Sequence, residues 1–523
     1  MKIKQSKANL FLILTVAAFI LIRCFVSTPL YFIAMDEAKY LVLARNFPRH
    51  TLFNNQLYLV HPPLFPYLIH FFTLLFPDHT AGITVSFLCA IITLAALIGL
   101  LGLMGKDRSW ITVALFIMVI SPLHISTSRV VYKDSMFFGL FTLSLYFFIK
   151  GLIGSKRYHL TAAGLLGAAT CLTSDLGLYL VAVFLVGYFI FRNPKIKLKD
   201  LGLTFAIMLL PYGSWLLVRF VAFRNNIYYP VGVDGTIEYV RDFNLRQLFT
   251  PRYFPATMTM FNFSADLSEF RINTNVYDLH PILKLPGFCP LIFYLFVGAT
   301  GLMSLISGLA KRRCRNNPAC FFSVLLIIFT LPVVLHPEPR FLIPILLPFC
   351  YLFAEGMERI STRITRHFRP MNKLAGATAA AAIILAGVHL SGARHLIFLL
   401  PKEVEAARSA RYLKDLPGDG VMAQVGYPPE LIYLSGKRVL ALPVVSRVLD
   451  KFIRYYDIRY LLYGQHYLAP LQTDDPGLIW CYDTIKYIRE NPRKYPLLKI
   501  VEERYQEAEQ WPDLIFIHGV GKN

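Results

Sequence analysis

The side chains that could do chemistry in this sequence stand at the ends of apolar runs. Asp36 and Glu37 follow an apolar run from Ala8 to Leu30, and a carboxylate in such a place can act as a general base. Ionisable groups at membrane depth cost about 2.5–3.5 kcal/mol at a helix centre and are usually functional when present. At the membrane interface this cost falls, so the pair can equally be two solvated loop carboxylates.

Four further segments place charged or imidazole side chains between apolar runs. They are His61-Pro62-Pro63, the segment Ser128–Asp134 with Arg129 and Lys133, the pair Ser174-Asp175, and the segment His336–Arg340 with Glu338. Guanidinium groups pair with phosphate or carboxylate oxygens in a planar, two-pronged geometry. For each arginine the alternative is a helix-end side chain whose charge reaches the membrane interface.

The apolar runs predict a polytopic α-helical membrane protein. Of the 523 residues, 55% are hydrophobic and 16% are charged, and the mean hydropathy is +0.50. Runs long enough to cross about 30 Å of hydrocarbon recur along most of the first three quarters of the chain. About eleven transmembrane helices are expected, at residues 8–30, 81–104, 110–127, 135–150, 159–174, 177–191, 200–221, 286–309, 319–335, 340–357 and 374–392.

The distribution of basic residues predicts the topology. With the N-terminus in the cytoplasm, every basic cluster between spans falls on the inner side, as the positive-inside rule requires. The formal charge of +21 is explained in this way, and nucleic acid is not expected as a partner. We predict an integral protein of the cell (inner) membrane, in contact with the bilayer, whose extracytoplasmic or periplasmic face holds residues 31–80, 222–285 and 393–523.

The outer stretches are expected to have structure of their own. Residues 38–45 and 64–76 are too short to span and are interpreted as interfacial helices, while 222–285 is an outer loop. We predict a transmembrane domain over residues 1–395 and a small extracytoplasmic α/β domain over 396–523. In the tail we expect one helix and four strands, at Glu403–Leu416, Val421–Val425, Tyr460–Tyr463, Leu497–Val501 and Leu514–His518.

The sequence contains no motif that requires a metal or a disulfide framework. The eight cysteines lie mostly inside or beside apolar runs, and none of them form a CxxC pair. No cofactor is required, although a divalent cation held by Glu37, His336 or Glu338 is compatible with ordinary oxygen and imidazole ligands.

In their order and spacing, and in their common face, these segments resemble the polytopic GT-C glycosyltransferases. The branch is that of the protein O-mannosyltransferases and the lipid A aminoarabinose transferases. The resemblance covers roughly residues 8–360, and the tail is loosely similar to the outer domain of these proteins. The matching residues are Asp36-Glu37 with Ala38, Tyr40 and Ala44-Arg45, then His61-Pro62-Pro63, Arg129 with Asp134, and His336, Glu338 and Arg340.

The resemblance implies an enzyme that moves a sugar from a polyprenyl-phosphate donor to a hydroxyl acceptor on the outer face. The acceptor, a protein, a glycan or a lipid, stays open. Displacing a lipid phosphate from the anomeric carbon needs a base for the acceptor's proton and cations for the leaving phosphate. We expect Asp36 to be this base, with its pKa raised by burial and by Glu37, and the anomeric configuration to invert.

The other residues of the matching segments are expected to hold the donor. Arg129 and Arg340 are the candidates for the phosphate. Asp134 is expected to orient Arg129 or Lys133, or to be a plain surface carboxylate. His61 and His336 are expected to contact phosphate or sugar, or to be interface histidines beside proline. Glu338 completes this donor site.

Two departures from the family pattern leave alternatives open. Aminoarabinose-type relatives carry an acidic residue and a lysine before the Pro-Pro pair, where this chain has Val60-His61, which argues against aminoarabinose as the sugar. Relatives also place a lysine where this chain has Thr173-Ser174-Asp175, so one phosphate contact is missing unless Lys133 or an arginine replaces it. The alternatives are a transporter or flippase of lipid-linked sugars and a catalytically silent partner subunit.

Overall fold

The computed structural model describes most of the helices and the C-terminal sheet, and every structural statement below concerns these residues. The described ranges are 2–25, 35–45, 62–191, 193–224, 288–310, 314–335, 343–367, 407–418, 420–424, 428–442, 446–455, 457–464, 482–503 and 513–521. The predicted outer loop 222–285 and the predicted last span 374–392 therefore lie almost entirely outside the described residues.

The chain divides into two compact units. The helical unit contains Met1–Ser27, Leu59–Ser268 and Thr274–Leu399. The C-terminal unit contains Thr28–Tyr58, Glu269–Asn273 and Leu400–Asn523. Residues around Asp36 thus cluster with the C-terminal elements. The domain limits expected from the sequence, 1–395 and 396–523, stay a prediction.

The described part of the helical unit consists of helices joined by short turns. In chain order these are α1 Lys2–Phe25, α3 Leu64–Phe72, α4 Asp78–Leu103, α5 Arg108–Ile120, α6 Pro122–Thr127, α7 Lys133–Gly154, α8 Arg157–Cys171, α9 Tyr179–Ile190, α10 Leu198–Arg224, α11 Phe288–Ala310, α12 Pro318–Leu335 and α13 Leu346–His367. The helix α2, Met35–Arg45, belongs to the C-terminal unit.

Three of the described helices are long enough and apolar enough to cross a membrane. They are Asp78–Leu103, Lys133–Gly154 and Leu198–Val218. The membrane character that the composition predicts is consistent with these helices, whereas the count of about eleven spans stays a prediction.

The span expected at 110–127 is wrong as a single helix, because the backbone is extended at Ser121 (ψ 115°) before Pro122. A residue that precedes proline disfavours the helical region, so α5 ends and the short α6 begins there.

Close backbone approaches hold the helical unit together. The helix α4 packs against α7, α7 against α8, and α8 against α10. At the α4–α7 crossing a Cβ on Gly139 would lie 2.7 Å from the carbonyl oxygen of Cys89, so only glycine fits without moving a backbone. On the other side of α7, Phe148 stacks on Phe184 of α9 with ring centroids 4.0 Å apart.

An ion cluster joins the α4–α5 turn to α13. The ammonium group of Lys106 lies 2.5 Å from Glu355 and 2.6 Å from Glu358. Arg359 donates to the other oxygen of Glu355 at 2.9 Å. Two loops that the charge pattern assigns to the inner side therefore meet at one end of the helical unit. The helix α13 also continues to His367, ten residues past the span end expected at 357.

The C-terminal unit contains a five-stranded mixed sheet with strand order β2-β1-β3-β5-β4. The strand β1 runs parallel to β2 and β3, and β5 runs antiparallel to β3 and β4. Its elements after α2 are α14 Ala407–Lys414, β1 Gly420–Gln424, α15 Pro428–Ser435, β2 Arg438–Ala441, α16 Leu449–Tyr455, β3 Tyr460–Gly464, α17 Tyr482–Glu490, β4 Leu497–Glu503 and β5 Asp513–Gly519.

Apolar side chains alternate along the strands, and those on one face of the sheet are buried under helices. Leu413 of α14 and Leu431 of α15 pack with Val421, Leu462 and Ile517 in one buried cluster. The four strands expected from the sequence coincide with β1, β3, β4 and β5, and the expected tail helix overlaps α14. The short strand β2 lacks an alternating pattern long enough to have been predicted.

On the other face of the sheet, a buried histidine links strands β3 and β5. The Nδ1 of His518 lies 3.0 Å from the carbonyl oxygen of Tyr495, and its Nε2 lies 2.9 Å from the hydroxyl of Tyr463. A carbonyl only accepts, so Nδ1 carries the proton and Nε2 accepts from Tyr463. Burial lowers the pKa of His518; its hydrogen bond to Tyr495 opposes this effect, and the charge of Arg489 adds to it.

We expect Gly139→Ala to destabilise the helical unit by about 1–3 kcal/mol, because the new methyl group would force α4 and α7 apart. The matched control is Gly154→Ala in the same helix, where no atom lies within 4 Å of the added Cβ. Thermal unfolding in detergent measures both. An unchanged or higher melting temperature for Gly139→Ala would contradict the close approach.

We expect the sheet of the C-terminal unit to lose stability as the pH falls below about 6.5, the ordinary pKa of histidine. The folded pKa of His518 is depressed, so the unfolded chain binds the proton first and stability falls with pH through the folded pKa. Hydrogen exchange of the β3 and β5 amides, corrected for intrinsic pH dependence, measures this. In His518→Gln the slope should flatten, and an unchanged slope would rule out His518 as its source.

Candidate functional site

The turn between α6 and α7 buries two charges. Arg129 is 4% exposed and Asp134, in the first turn of α7, is 2% exposed. A carboxylate in the first turn interacts favourably with the helix N-terminus. Burial lowers the pKa of Arg129 to about 10, so the guanidinium stays cationic at neutral pH. Lys133 begins α7 and is half-buried.

A second buried arginine reaches this region from α1. Arg23 is 4% exposed, and its guanidinium lies 3.6 Å from the centroid of the Phe19 ring. It donates to the carbonyl oxygens of Phe19, at 3.2 Å, and of Met118, at 3.1 Å. The same guanidinium contacts Nδ1 of His124 in α6 at 2.7 Å. Arg129 lies close enough to Arg23 for their like charges to repel.

The contact with Arg23 determines the state of His124. An arginine N–H can only donate, so Nδ1 of His124 accepts and its Nε2 carries the proton. The ring is fully buried, with Phe19 at 5.6 Å and Phe138 at 5.9 Å between ring centroids. Within the described residues, Nε2 has no hydrogen-bond partner. The histidine is therefore neutral and supplies a lone pair to the buried cation.

Two other sequence-predicted segments meet at the start of α3. The backbone N–H of Leu64, which follows the Pro62-Pro63 pair, donates to the carbonyl oxygen of Leu172 at 3.0 Å. This contact puts the Pro-Pro segment beside the turn at Ser174-Asp175. Asp175 is exposed and accepts a hydrogen bond of 2.7 Å from the hydroxyl of Tyr212 in α10. The chain thus has an acidic, tyrosine-bound group where the resemblance implies a lysine.

The helix with the predicted base lies in the C-terminal unit. Asp36 and Glu37 are in the first turn of α2, and Glu37 is 1% exposed. At the other end of α2, Arg45 donates to the carbonyl oxygen of Tyr433 in α15 at 3.0 Å and lies 4.0 Å above the Tyr433 ring. The packing of α2 on α15 therefore supports the carboxylate pair.

Several predicted site residues lie outside the described residues. These are His61, His336, Glu338 and Arg340, together with the side chain of Asp36. Of the predicted residues that are described, Arg129, Lys133 and Asp134 are brought together at the α6–α7 turn, and Glu37 is in the other unit. No group of three metal-ligating side chains occurs among the described residues, and the proposed cation ligands fall mostly beyond them.

Sequence reasoning missed Arg23 and His124. Both stand inside stretches interpreted as membrane spans, 8–30 and 110–127. The signal that could have identified them is the cost of a charged side chain within an apolar run. The break at Ser121-Pro122, which aims His124 at α1, is the second signal.

Part of the sequence matches a protein-family model, and the structure is similar to solved structures. Residues 60–217 match the model described as dolichyl-phosphate-mannose-protein mannosyltransferase, which is less than a third of the chain. His61, Arg129, Lys133 and Asp134 fall inside this segment. Among curated proteins, none matches the chain in sequence.

The fold is similar to that of solved structures of ArnT and of an oligosaccharyltransferase. The apo structure of ArnT from Cupriavidus metallidurans aligns with a TM-score of 0.56 at 12% identity, over 98% of each chain. The ArnT structure bound to undecaprenyl phosphate aligns with a TM-score of 0.55 at 11% identity, over 97% of each chain. The oligosaccharyltransferase of Archaeoglobus fulgidus, tethered with an acceptor peptide, aligns with a TM-score of 0.55 at 11% identity, over 98% of this chain and 74% of its own.

We expect Arg45→Met to loosen α2, because it removes both the hydrogen bond to the Tyr433 carbonyl and the contact with the ring. Tyr433→Leu should loosen it less, since the backbone carbonyl remains. Hydrogen exchange of the α2 amides measures both, with faster exchange by roughly fivefold or more in Arg45→Met. Equal exchange in the wild type and Arg45→Met would show that this contact does not hold α2.

Proposed function

For a chain that resembles the GT-C glycosyltransferases of the protein mannosyltransferase and ArnT type, we propose transfer of a sugar from a polyprenyl-phosphate donor to a hydroxyl acceptor at the outer face of a membrane. The observation that carries this proposal is the buried cationic turn at the N-terminus of α7. Arg129 lies there inside the segment that matches the mannosyltransferase model.

The reaction of such a donor would require the cations that this turn contains. A phosphate leaving from the anomeric carbon develops negative charge, and fixed guanidinium groups in a water-poor site stabilise it strongly. Arg129 supplies one such group, and Arg340 is the proposed second one. Undecaprenyl phosphate in the similar ArnT structure supports a polyprenyl phosphate as the carrier.

Transfer proceeds as a single displacement. The acceptor oxygen forms a bond to the anomeric carbon while the bond from that carbon to the phosphate oxygen breaks. The acceptor's proton goes to Asp36, and the leaving group departs as the lipid phosphate, held by Arg129 and Arg340. One displacement inverts the anomeric configuration.

The remaining predicted residues have supporting roles. Asp134 orients Arg129 or Lys133, and Lys133 adds a third cation near the phosphate. His61 and His336 contact the phosphate or the sugar. Glu37, His336 and Glu338 provide oxygen and imidazole ligands for a divalent cation if one takes part.

The proposed location follows the charge pattern. The basic loops stay in the cytoplasm with the N-terminus, so the carboxylate pair and the C-terminal unit lie on the extracytoplasmic side. The contact of Lys106 with Glu355 and Glu358 supports this arrangement, because it joins two loops that the pattern assigns to one side.

We expect Asp36→Asn to reduce sugar transfer at least about a hundredfold, since general-base catalysis contributes that much or more. The assay supplies a mixture of polyprenyl-phosphate sugars and a membrane extract as acceptor. The matched control is Asp415→Asn, an exposed carboxylate of the C-terminal unit, and thermal unfolding checks that both variants fold.

Full transfer by Asp36→Asn would remove Asp36 as the base. If the wild type binds the donor and transfers no sugar from the mixture, the protein is not the proposed transferase. A transport assay with the same labelled donors would then test the flippase alternative.

We expect Arg340→Ala to raise the KM for the donor about tenfold or more, because a hydrogen-bonded charge pair with the phosphate is lost. The KM for the acceptor should stay within about twofold. Steady-state kinetics with the donor and the acceptor varied separately measure both. An unchanged donor KM would count against the phosphate role of Arg340.

A further inference from the structure

A buried cation that no predicted role uses lies beside Arg129. The Arg23 guanidinium is almost completely buried, is held by the carbonyl oxygens of Phe19 and Met118 and by His124, and forms no ion pair with a described carboxylate. These neutral partners bind its two terminal nitrogens, whereas its Nε has no hydrogen-bond partner and no described carboxylate balances its charge. A buried charge of this kind is unfavourable unless an opposite charge approaches it.

The immediate electrostatic neighbour of Arg23 is itself a cation. Arg129 is also almost completely buried, and the two guanidinium groups repel one another. Two such cations in a weakly polar region raise the positive potential around them, since charge interactions are weakly screened there. An anion placed at Arg129 would be attracted by both charges.

We propose that Arg23 is a positioning residue of the donor site, a second buried cation near Arg129 that raises the affinity of this site for a lipid phosphate. The inference rests on the proposed function, because it takes the polyprenyl phosphate as the anion. Arg23 contributes through its charge and need not touch the phosphate. His124 keeps the guanidinium in place, since its Nδ1 lone pair accepts the hydrogen bond from Arg23.

The side chain of His124 suits this task for a chemical reason. A glutamate at this position would form an ion pair with Arg23 and cancel the charge that the site uses. The neutral imidazole orients the guanidinium and leaves its charge available. The same logic explains why backbone carbonyls, and a ring face at 3.6 Å, make up the other contacts.

Measuring the affinity for two short lipids separates the effect of the lipid's charge from that of its chain. Farnesyl phosphate carries the anion, and farnesol carries the same chain without it. In the full-length protein we expect Arg23→Gln to weaken farnesyl phosphate about tenfold and to leave farnesol within about twofold. Arg23→Lys keeps the charge and should bind farnesyl phosphate within about threefold of the wild type. The matched control Arg157→Gln, an exposed arginine paired with Asp200, should change neither.

Each other outcome overturns the inference. If Arg23→Gln weakens both lipids equally, the residue only supports the fold. If Arg23→Lys loses as much phosphate affinity as Arg23→Gln, geometry and not charge is what matters. If Arg23→Gln changes neither lipid, Arg23 plays no part in binding.

If Arg23→Gln fails to fold, a second variant still tests the inference. His124→Phe keeps the aromatic packing and removes the lone pair, and it should reduce the preference for farnesyl phosphate over farnesol about threefold or more. An unchanged preference overturns the inference. Failure of the proposed function would look different. The wild type would prefer farnesyl phosphate to farnesol and Arg23→Gln would lose that preference, but the wild type would transfer no sugar from any polyprenyl-phosphate donor.

Discussion

The proposed donor site depends on positively charged side chains that are buried inside an apolar bundle of helices. Arg23 and Arg129 are both buried. Moving one charged group out of water costs several kcal/mol, even after the protein relaxes around it. The fold offsets that cost for Arg23 with two carbonyl oxygens, an aromatic face and a neutral histidine. These partners depend on the extended backbone at Ser121, which turns α6 so that His124 meets α1.

Each unit contains residues to which a role is proposed. Arg129, which is proposed to bind the phosphate, lies in the helical unit, whereas the carboxylate pair lies on α2, which packs against α15 of the C-terminal unit. The C-terminal unit therefore does more than the sequence suggests for an appended domain, because its helix α15 supports the helix that carries the proposed base. Removing residues 393–523 would take away the packing partner of α2 as well as any contact with the acceptor.

Much of this organisation is predictable from the sequence, for clear physical reasons. Long apolar runs and short alternating runs define most helices and four strands, since burial dictates both patterns. The turn from Ser128 to Asp134 is correctly expected because polar residues interrupt two such runs. The break at Ser121 was missed because a serine and a proline barely alter the hydropathy of the run.

The site was harder to predict than the fold. Arg129 and Asp134 could be selected by residue type, but the partnership of Arg23 with His124 joins residues that are distant in the sequence and has no local pattern. The association of α2 with α15 is equally nonlocal, since it depends on the contact between Arg45 and Tyr433. Asp175 in place of a lysine is visible in the sequence, whereas its hydrogen bond to Tyr212 is not.

A structure of the protein in a lipid nanodisc with a bound polyprenyl phosphate would show directly which cations hold the phosphate. We expect the phosphate to lie within hydrogen-bond distance of the Arg129 guanidinium, at the α6–α7 turn. A phosphate bound at the opposite end of the helical unit, beside Lys106 and Glu355, would rule out a donor site at this turn.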